Sequence, residues 1–356
     1  MLVEEKKISN RYVLKKFIAS GGMGDVWKAF DSNLGRYVAI KFPRTLFIQD
    51  EPKSLSVLKS EAQTGAKLIG HPNIISILDF GFFEEDGKKN YYIVMELING
   101  IDVLKWINDY KPILDSSLYY RIGLLISLEL CKAIEYSHKN NILHRDIKPN
   151  NLFLSGFGMT KIGDFGLSRF VEIATRTHTV KTSMTYAYAS PEQWHAKRYT
   201  KKSDIYQIGC TIYHLLTGEL PFNENTLPGL LKAHLNQNPT LPHLISDNIS
   251  EDLSNSIVKA MAKNASDRIP LWQLYEAIAT ELLGTYEIEG NFTKHSDETL
   301  DMIAGITDFS VPEMKEGEVS YAFADYGELL SESIQLILLG ATEFKIIKRE
   351  SSVFNN

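Results

Sequence analysis

The segment DSSLYYRIGLLISLELCKAIEYSHKNN, residues 115–141, constrains the fold most strongly. Its length and helical spacing predict one long helix, with Asp115 or Ser116 as N-cap. Apolar residues cover most of its circumference, so it must run through a core rather than lie on a surface. The chain before it reads differently. Residues 12–19, 25–31, 35–42, 73–83 and 90–98 have strand patterns separated by turn residues. One amphipathic helix over 52–70 interrupts them, spaced by Leu55, Leu58, Ala62, Ala66 and Ile69. Beyond 154 comes another hairpin, then helical periodicity over 203–217, 226–236, 250–262 and 271–283. A β-rich lobe followed by an α-rich lobe is an α+β arrangement with a cleft between. From 285 the chain turns acidic and mixed, and SIQLILLGATEFKIIK (333–348) reads as strand.

At 356 residues the chain exceeds a single small core. A net charge of −6 argues against nucleic acid or an anionic membrane as the main partner. Cys131 and Cys210 are its only cysteines and form no CxxC pair, which disfavours a disulfide framework or zinc site and suits a reducing cytosol. The start, MLVEEKKISNRYVL, lacks the apolar stretch of a signal peptide. IGCTIYHLL (208–216) is too short to cross a bilayer and carries His214. The expectation is a cytoplasmic protein without a membrane span.

Within NILHRDIKPNNLFL (141–154), His144, Arg145, Asp146, Lys148, Asn150 and Asn151 crowd between apolar flanks. Neither a solvated loop nor a core needs so many different hydrogen-bonding groups in one place unless they are paired or used. Moving a phosphoryl group to a hydroxyl needs a carboxylate to orient the hydroxyl and accept its proton. It also needs an ammonium to neutralise the phosphate and an amide oxygen to hold a metal. The bland alternative is a helix-to-strand connection that happens to be polar.

The stretch HRDIKPNN resembles the catalytic loop of protein kinases, and a lysine two places after Asp146 resembles the serine/threonine type. The resemblance implies Asp146 and Lys148 as catalytic, Asn151 as a metal ligand, and His144 and Arg145 as supports. KIGDFGLSR (161–169) resembles the metal-binding segment, with Asp164 chelating magnesium or manganese and Phe165 behind it. A hard divalent cation takes oxygen ligands, so one carboxylate and one amide are a sensible protein share. IASGGMGDVWKA (18–29) resembles the glycine-rich loop over the nucleotide phosphates. Ala19 stands for its first glycine, while Gly21 and Gly24 remain. VAIK (38–41) brings Lys41, implied to grip the ATP phosphates, with Glu61 on the next helix as its partner. Taken alone, that lysine and glutamate are ordinary solvated charges. YIVMELINGID (92–102) resembles the hinge: Met95 backs the adenine pocket, the backbone of Glu96 to Ile98 meets the adenine edge, and Asp102 binds ribose. Val26, Ala39 and Phe153 are implied to sandwich the ring, giving an apolar slot with few polar groups.

MTYAYASPEQW (184–194) resembles the substrate-docking segment. The resemblance pairs Glu192 with Arg268 and sets Asp204 beneath the backbone at Arg145. Between Asp164 and Glu192 the chain is rich in hydroxyls, and Thr177 and Thr179 match positions phosphorylated in bacterial relatives, beside Arg145 as a cation to order against. Four positions past Glu61 the family carries a large apolar residue of a stack that also holds Ile77, His144 and Phe165; this chain has Gly65. The expectation is a weakened, partly displaced helix and a rise in basal activity on Gly65→Leu.

The resemblance covers residues 10–283. It implies a two-lobed protein-kinase fold over 10–284, with a small β-rich N-lobe (10–96), a larger α-helical C-lobe (100–284), and a C-terminal extension over 285–356 whose candidate roles are a β-containing module, an inhibitory flap or a docking surface. The activity implied is ATP- and Mg2+-dependent phosphorylation of serine and threonine in protein substrates, with autophosphorylation. A pseudokinase acting as scaffold is the alternative, disfavoured because Lys41, Asp146 and Asp164 are all present. A small-molecule kinase of the aminoglycoside or choline type lacks the Lys148 placement and the SPE segment. Oligomeric state stays open.

Overall fold

The computed structural model describes residues 2–21, 24–43, 59, 62–156, 158–165, 186–195, 198–283, 285–291, 318–323, 326–338 and 344–349. The N-terminal lobe is one antiparallel sheet in the order β1-β2-β3-β4-β6-β5. Its strands are β1 (Lys7–Ile8), β2 (Tyr12–Gly21), β3 (Gly24–Asp31), β4 (Arg36–Pro43), β5 (Ile77–Glu85) and β6 (Lys88–Met95). Alternation places Tyr12, Leu14, Trp27, Val38 and Ile40 on one buried face. The opposite face carries Ala39, Ile75, Ile93 and Met95, with Val26, Ile98 and Phe153 packed against them. Gly24 has φ +140°, and a Cβ there would lie 2.1 Å from the Phe42 carbonyl oxygen, so only glycine lets β3 approach β4 this closely.

Residues 62–66 are helical and 67–70 form a turn. The remainder of the helix expected over 52–70 lies outside the described residues apart from Lys59. Leu68 is buried, whereas Ile69, counted on the apolar face, is exposed because the helix has already ended.

The second lobe begins with β7 (Gly100–Asp102), α1 (Val103–Tyr110) and α2 (Ser116–Lys139). Asp115 caps α2 by accepting from the amides of Ser117 and Leu118. Helix α2 is buried nearly all round, as its sequence requires. Strands β8 (Leu152–Ser155) and β9 (Thr160–Ile162) form a three-stranded sheet with β7. Then come α3 (Pro191–Trp194), α4 (Lys201–Thr217), α5 (Leu227–Asn236), α6 (Glu251–Ala260) and α7 (Leu271–Glu281). Helix α2 packs on α4, α7 and β9, building the largest core of the molecule. The lobes are tied where the Ile75 amide donates to the Ile162 carbonyl at 2.9 Å and the Ile162 amide to that of Asn73 at 2.9 Å.

The extension forms β10 (Thr285–Asn291), β11 (Glu318–Phe323), α8 (Tyr326–Leu338) and β12 (Phe344–Arg349), with sheet order β11-β10-β12. Of residues 333–348, expected as strand, 333–338 are helix and 344–348 are strand, while 339–343 lie outside the described residues. Leu329, Leu330, Ser333, Ile334 and Ile337 are buried at helical spacing, and the short run IQLILL satisfies either period.

Candidate active site

The strand β4 projects Lys41 into the cleft, 5% exposed. Its Nζ lies 2.8 Å from Asp164 Oδ1, joining residues 123 apart in sequence. Burial pushes the Asp164 carboxyl up, but the charge and hydrogen bond of Lys41, with Lys148 and His144 nearby, hold it below the ordinary carboxylate range. Asp164 has φ +61° and Arg145 φ +73°, left-handed conformations that side chains rarely adopt. Such strain persists only where surrounding contacts over-determine it.

Those contacts are present around Arg145. Asp204, on the first turn of α4, accepts from the amides of His144 at 3.1 Å and Arg145 at 2.9 Å. It also meets His138 Nε2 at 2.7 Å and the Tyr199 hydroxyl at 2.6 Å. Burial alone would raise its pKa, yet these donors hold it below the usual value. His144 is wholly buried, with Nε2 2.8 Å from the Gly163 carbonyl and its ring edge-on to Phe165 at 4.5 Å. Burial pushes the His144 imidazole down despite the carboxylates of Asp204 and Asp146. The loop is thus anchored to both α4 and the segment carrying Asp164.

Above this support, Lys148 Nζ lies 2.8 Å from Asp146 Oδ2. Asn151, at the end of a 3-10 turn over Pro149–Asn151, donates from Nδ2 to the Asp146 carbonyl at 2.7 Å and to its Oδ2 at 3.1 Å. With Nδ2 committed to Asp146, the amide oxygen of Asn151 is turned away from that residue. Asn151 and Asp164 flank the β8–β9 hairpin, so two oxygen donors emerge from one rigid element.

The residues assigned to the apolar slot also come together. Ala39, Met95, Val26, Ile98 and Phe153 belong to one cluster beside the hinge. The Glu96 amide donates to the Ser76 carbonyl at 2.9 Å, and its carboxylate pairs with Lys161 at 3.0 Å. Asp102 lies opposite Phe153 and caps α1 by accepting from the Lys105 amide at 2.9 Å. Ala19 pairs with Val26 and Gly21 with Gly24, so β2 and β3 run together to the tip of the glycine-rich turn. Glu192 and Arg268 form a bidentate pair at 2.6 and 2.8 Å. Glu61, Thr177 and Thr179 lie outside the described residues.

Ile77 revises the reading of Gly65. A Cβ on Gly65 would lie 2.7 Å from Ile77 Cγ1, so the strand residue fills the place of the absent helix side chain. The remaining cavity, bordered by Ala62, Ile75, Met95 and Phe165, is about 10 Å³, the size of one water.

Three supports escaped the sequence reading. Gln207 accepts from the Ile147 amide at 2.9 Å and donates to the Arg145 carbonyl at 3.2 Å. Gln193 donates to the same carbonyl at 3.1 Å. Asp204, Gln207 and Thr211 form a polar stripe at helical spacing in an otherwise apolar segment, a signal that could have found Gln207. Glu129 is the third: it is buried on α2 and accepts from the Thr160 amide at 2.6 Å. Its burial raises the carboxyl pKa, against the pull of its hydrogen-bond donors.

The family model described as "Protein kinase domain" matches residues 12–280. The chain is 34% identical over 318 residues to the serine/threonine-protein kinase PrkC of Bacillus subtilis, covering 89% of this chain and 46% of that protein. It is 34% identical over 262 residues to the serine/threonine-protein kinase PknB of Mycobacterium leprae, covering 73% of this chain and 41% of that one. The chain thus spans less than half the length of these relatives. The crystal structure of the Mycobacterium tuberculosis PknI kinase domain superposes with a TM-score of 0.61 at 22% identity, covering 79% of this chain and 99% of that one. That likeness extends to the fold, two lobes with a strand-rich half and a helical half. The chain belongs to the protein kinase family.

Proposed function

We propose that the protein is a serine/threonine protein kinase that transfers the γ-phosphoryl group of ATP to hydroxyls of protein substrates. The observation that supports this reading is the pairing of Lys41 with Asp164 and of Lys148 and Asn151 with Asp146, with the Lys148 charge felt at Asp164. The donor set suits magnesium or manganese: a carboxylate from Asp164 and an amide oxygen from Asn151 are hard ligands. Among the described residues no group of three His, Cys, Asp or Glu side chains could hold a metal alone, so a cation here would share its shell with phosphate oxygens. When bound, the cation screens the charge of the phosphate chain.

The residues then divide the work. The slot formed by Val26, Ala39, Met95 and Phe153 takes the adenine, against the backbone of Glu96 to Ile98, and Asp102 meets the ribose. Lys41 holds the phosphates from the N-lobe side while the turn from Ala19 to Gly24 covers them. Asp146 orients the acceptor hydroxyl and receives its proton, and Lys148, already paired with Asp146, neutralises the group in transfer. Positioning and fixed charge supply most of the rate, since the protein forms no covalent bond to the phosphoryl group. Glu61 completes the Lys41 pair, and phosphorylation of Thr177 or Thr179 orders the segment near Arg145. Two buried free cysteines, Cys131 and Cys210, fit a reducing cytoplasm. Among the described residues no helix is long and apolar enough to cross a membrane.

The test compares wild type with Asp146→Asn for phosphate incorporation into a generic Ser/Thr substrate and into the chain itself, beside equilibrium ATP binding. The expected result is a loss of at least about 100-fold in transfer with ATP affinity nearly unchanged. Nucleotide uptake without transfer by the wild type would turn the reading to a pseudokinase.

A further inference from the structure

The extension is seated on the catalytic lobe at two places. Leu329, Leu330, Ile334 and Ile337 of α8, with Phe344 and Ile346 of β12, are buried in the same core as α2, and both elements pack on that helix. The second place is the β8–β9 turn. Gly158 there has φ +74°, and a Cβ on it would fall 2.0 Å from Ser331 Cα and 2.4 Å from the Ser331 carbonyl oxygen. The backbone of α8 therefore lies directly against the turn, and no other residue fits between them.

That turn belongs to the hairpin that ends in Asn151 on one side and Asp164 on the other. Its near side is fixed to the hinge, because the Gly156 amide donates to the Asn99 carbonyl at 2.6 Å. Within the turn the Met159 amide donates to Ser155 Oγ at 3.1 Å. One residue further, Thr160 is held on both sides. Its amide donates to Glu129 of α2 at 2.6 Å, and its carbonyl accepts from Asn73 Nδ2 at 2.9 Å. Glu129 sits on the helix that the extension covers, so α8 bears on the hairpin directly through Gly158 and indirectly through α2.

We propose that the extension is a positioning element of the active site: by clamping α2 and the β8–β9 turn it sets where Asn151 and Asp164 present their oxygens. This rests on the kinase reading above and goes beyond it, because it assigns α8 and β12 a part in binding the metal–nucleotide. Seated on α2 and this turn, α8 acts through the hairpin itself.

The experiment uses the full chain, as wild type, as Leu330→Asp/Ile334→Asp and as the milder Leu330→Ala. Each is measured for Mg–ATP affinity across a magnesium titration, for ATP affinity without magnesium, for KM against kcat, and for thermal unfolding. The charged pair should weaken Mg–ATP binding by about 10-fold and raise the magnesium requirement, with magnesium-free ATP binding moving less. Leu330→Ala should give a smaller shift of the same kind. A lower unfolding temperature with unchanged Mg–ATP affinity and magnesium dependence in both variants overturns the proposal, since a purely structural prop would behave that way. A wild type that takes up no Mg–ATP strikes the kinase reading together with this inference, whereas normal wild-type uptake left intact in both variants strikes this inference alone.

Discussion

Ile77 stands where Gly65 would carry its side chain, with its Cγ1 2.7 Å from the position of the missing Cβ. The strand supplies most of the volume that the helix lacks, so the stack through His144 and Phe165 keeps only a gap about the size of one water. Gly65→Leu therefore adds bulk to a packed site, and the earlier expectation of higher basal activity gives way to one of strain. Overpacking of this kind costs about 1–3 kcal/mol, partly offset by the roughly 1 kcal/mol that glycine forfeits in a helix. A double-mutant cycle by denaturant unfolding checks it: Gly65→Leu should be destabilising, and Ile77→Ala should be better tolerated in its company than alone. Additivity within about 0.5 kcal/mol would show that the two positions do not share the space.

Asp204 accepts four donors at once, two of them the amides that hold Arg145 in its left-handed conformation. Asn in its place keeps the shape but loses one accepting oxygen and turns an NH2 towards groups that donate. Each orphaned donor to a buried carboxylate costs about 1–3 kcal/mol. Asp204→Asn should therefore lower the unfolding midpoint and reduce transfer at least about 10-fold, while ATP affinity changes little because the proposed adenine slot is built from other residues. Unchanged turnover in a folded Asp204→Asn protein would remove the residue from the support of the Asp146 loop.

How much of this was legible in the sequence follows from the chemistry. The resemblance of VAIK, HRDIKPNN and DFG to the kinase family picked out Lys41, Asp146, Asn151 and Asp164 in order without coordinates, and the proposed phosphoryl transfer gives each residue type a reason. The all-round apolar pattern of α2 likewise had one solution. Compensation was not legible: nothing in Gly65 or Ile77 alone announces that one fills the place of the other across a helix and a strand. The extension was read half correctly for a related reason. IQLILL is too short to declare its period, and only the buried spacing of Leu329, Leu330, Ser333, Ile334 and Ile337 identifies the helix. Glu129 looked like a polar interruption in an apolar helix until Thr160 supplied its partner.

Arg268 is a fully saturated buried cation. Its Nε donates to the Ala262 carbonyl at 2.8 Å, and its two terminal nitrogens reach Glu192 and the carbonyls of Lys202 and Lys263 at 2.6–3.1 Å. Burial tends to raise the Glu192 carboxyl, but Arg268 holds it below the usual range. Removing one partner of such a pair costs about 3–5 kcal/mol, because the other charge stays buried. Arg268→Ala should lower the unfolding temperature by many degrees. Arg268→Lys should rescue little, since an ammonium cannot present the same planar fork. Full rescue by lysine, read by calorimetry, would mean that charge alone suffices.

Acid should destabilise the protein through the buried histidines His144, His214 and His234 before it reaches the carboxylates. Burial pushes His214 down to about 4, and burial with the Lys263 charge pushes His234 down to about 3. Both are neutral in the fold, with Nδ1 2.6 Å from the Tyr188 hydroxyl and 2.8 Å from that of Tyr206, respectively. Unfolded, each titrates near 6.5, so below that pH the unfolded chain binds protons that the folded one refuses. Their contribution is fully present above about pH 6.5 and is lost as pH falls towards the folded values, at about 1.4 kcal/mol per pH unit for each group. The buried carboxyls of Asp204 and Glu192, held low, add losses only below the ordinary carboxylate range, whereas Glu129, held high, opposes the trend. Unfolding midpoints between pH 7.5 and 5 should therefore fall steadily. His214→Phe should start lower at pH 7.5, having stranded the Tyr188 hydroxyl, yet show a shallower slope by about one proton. An unchanged slope in that variant would show that His214 titrates alike in the folded and unfolded chain.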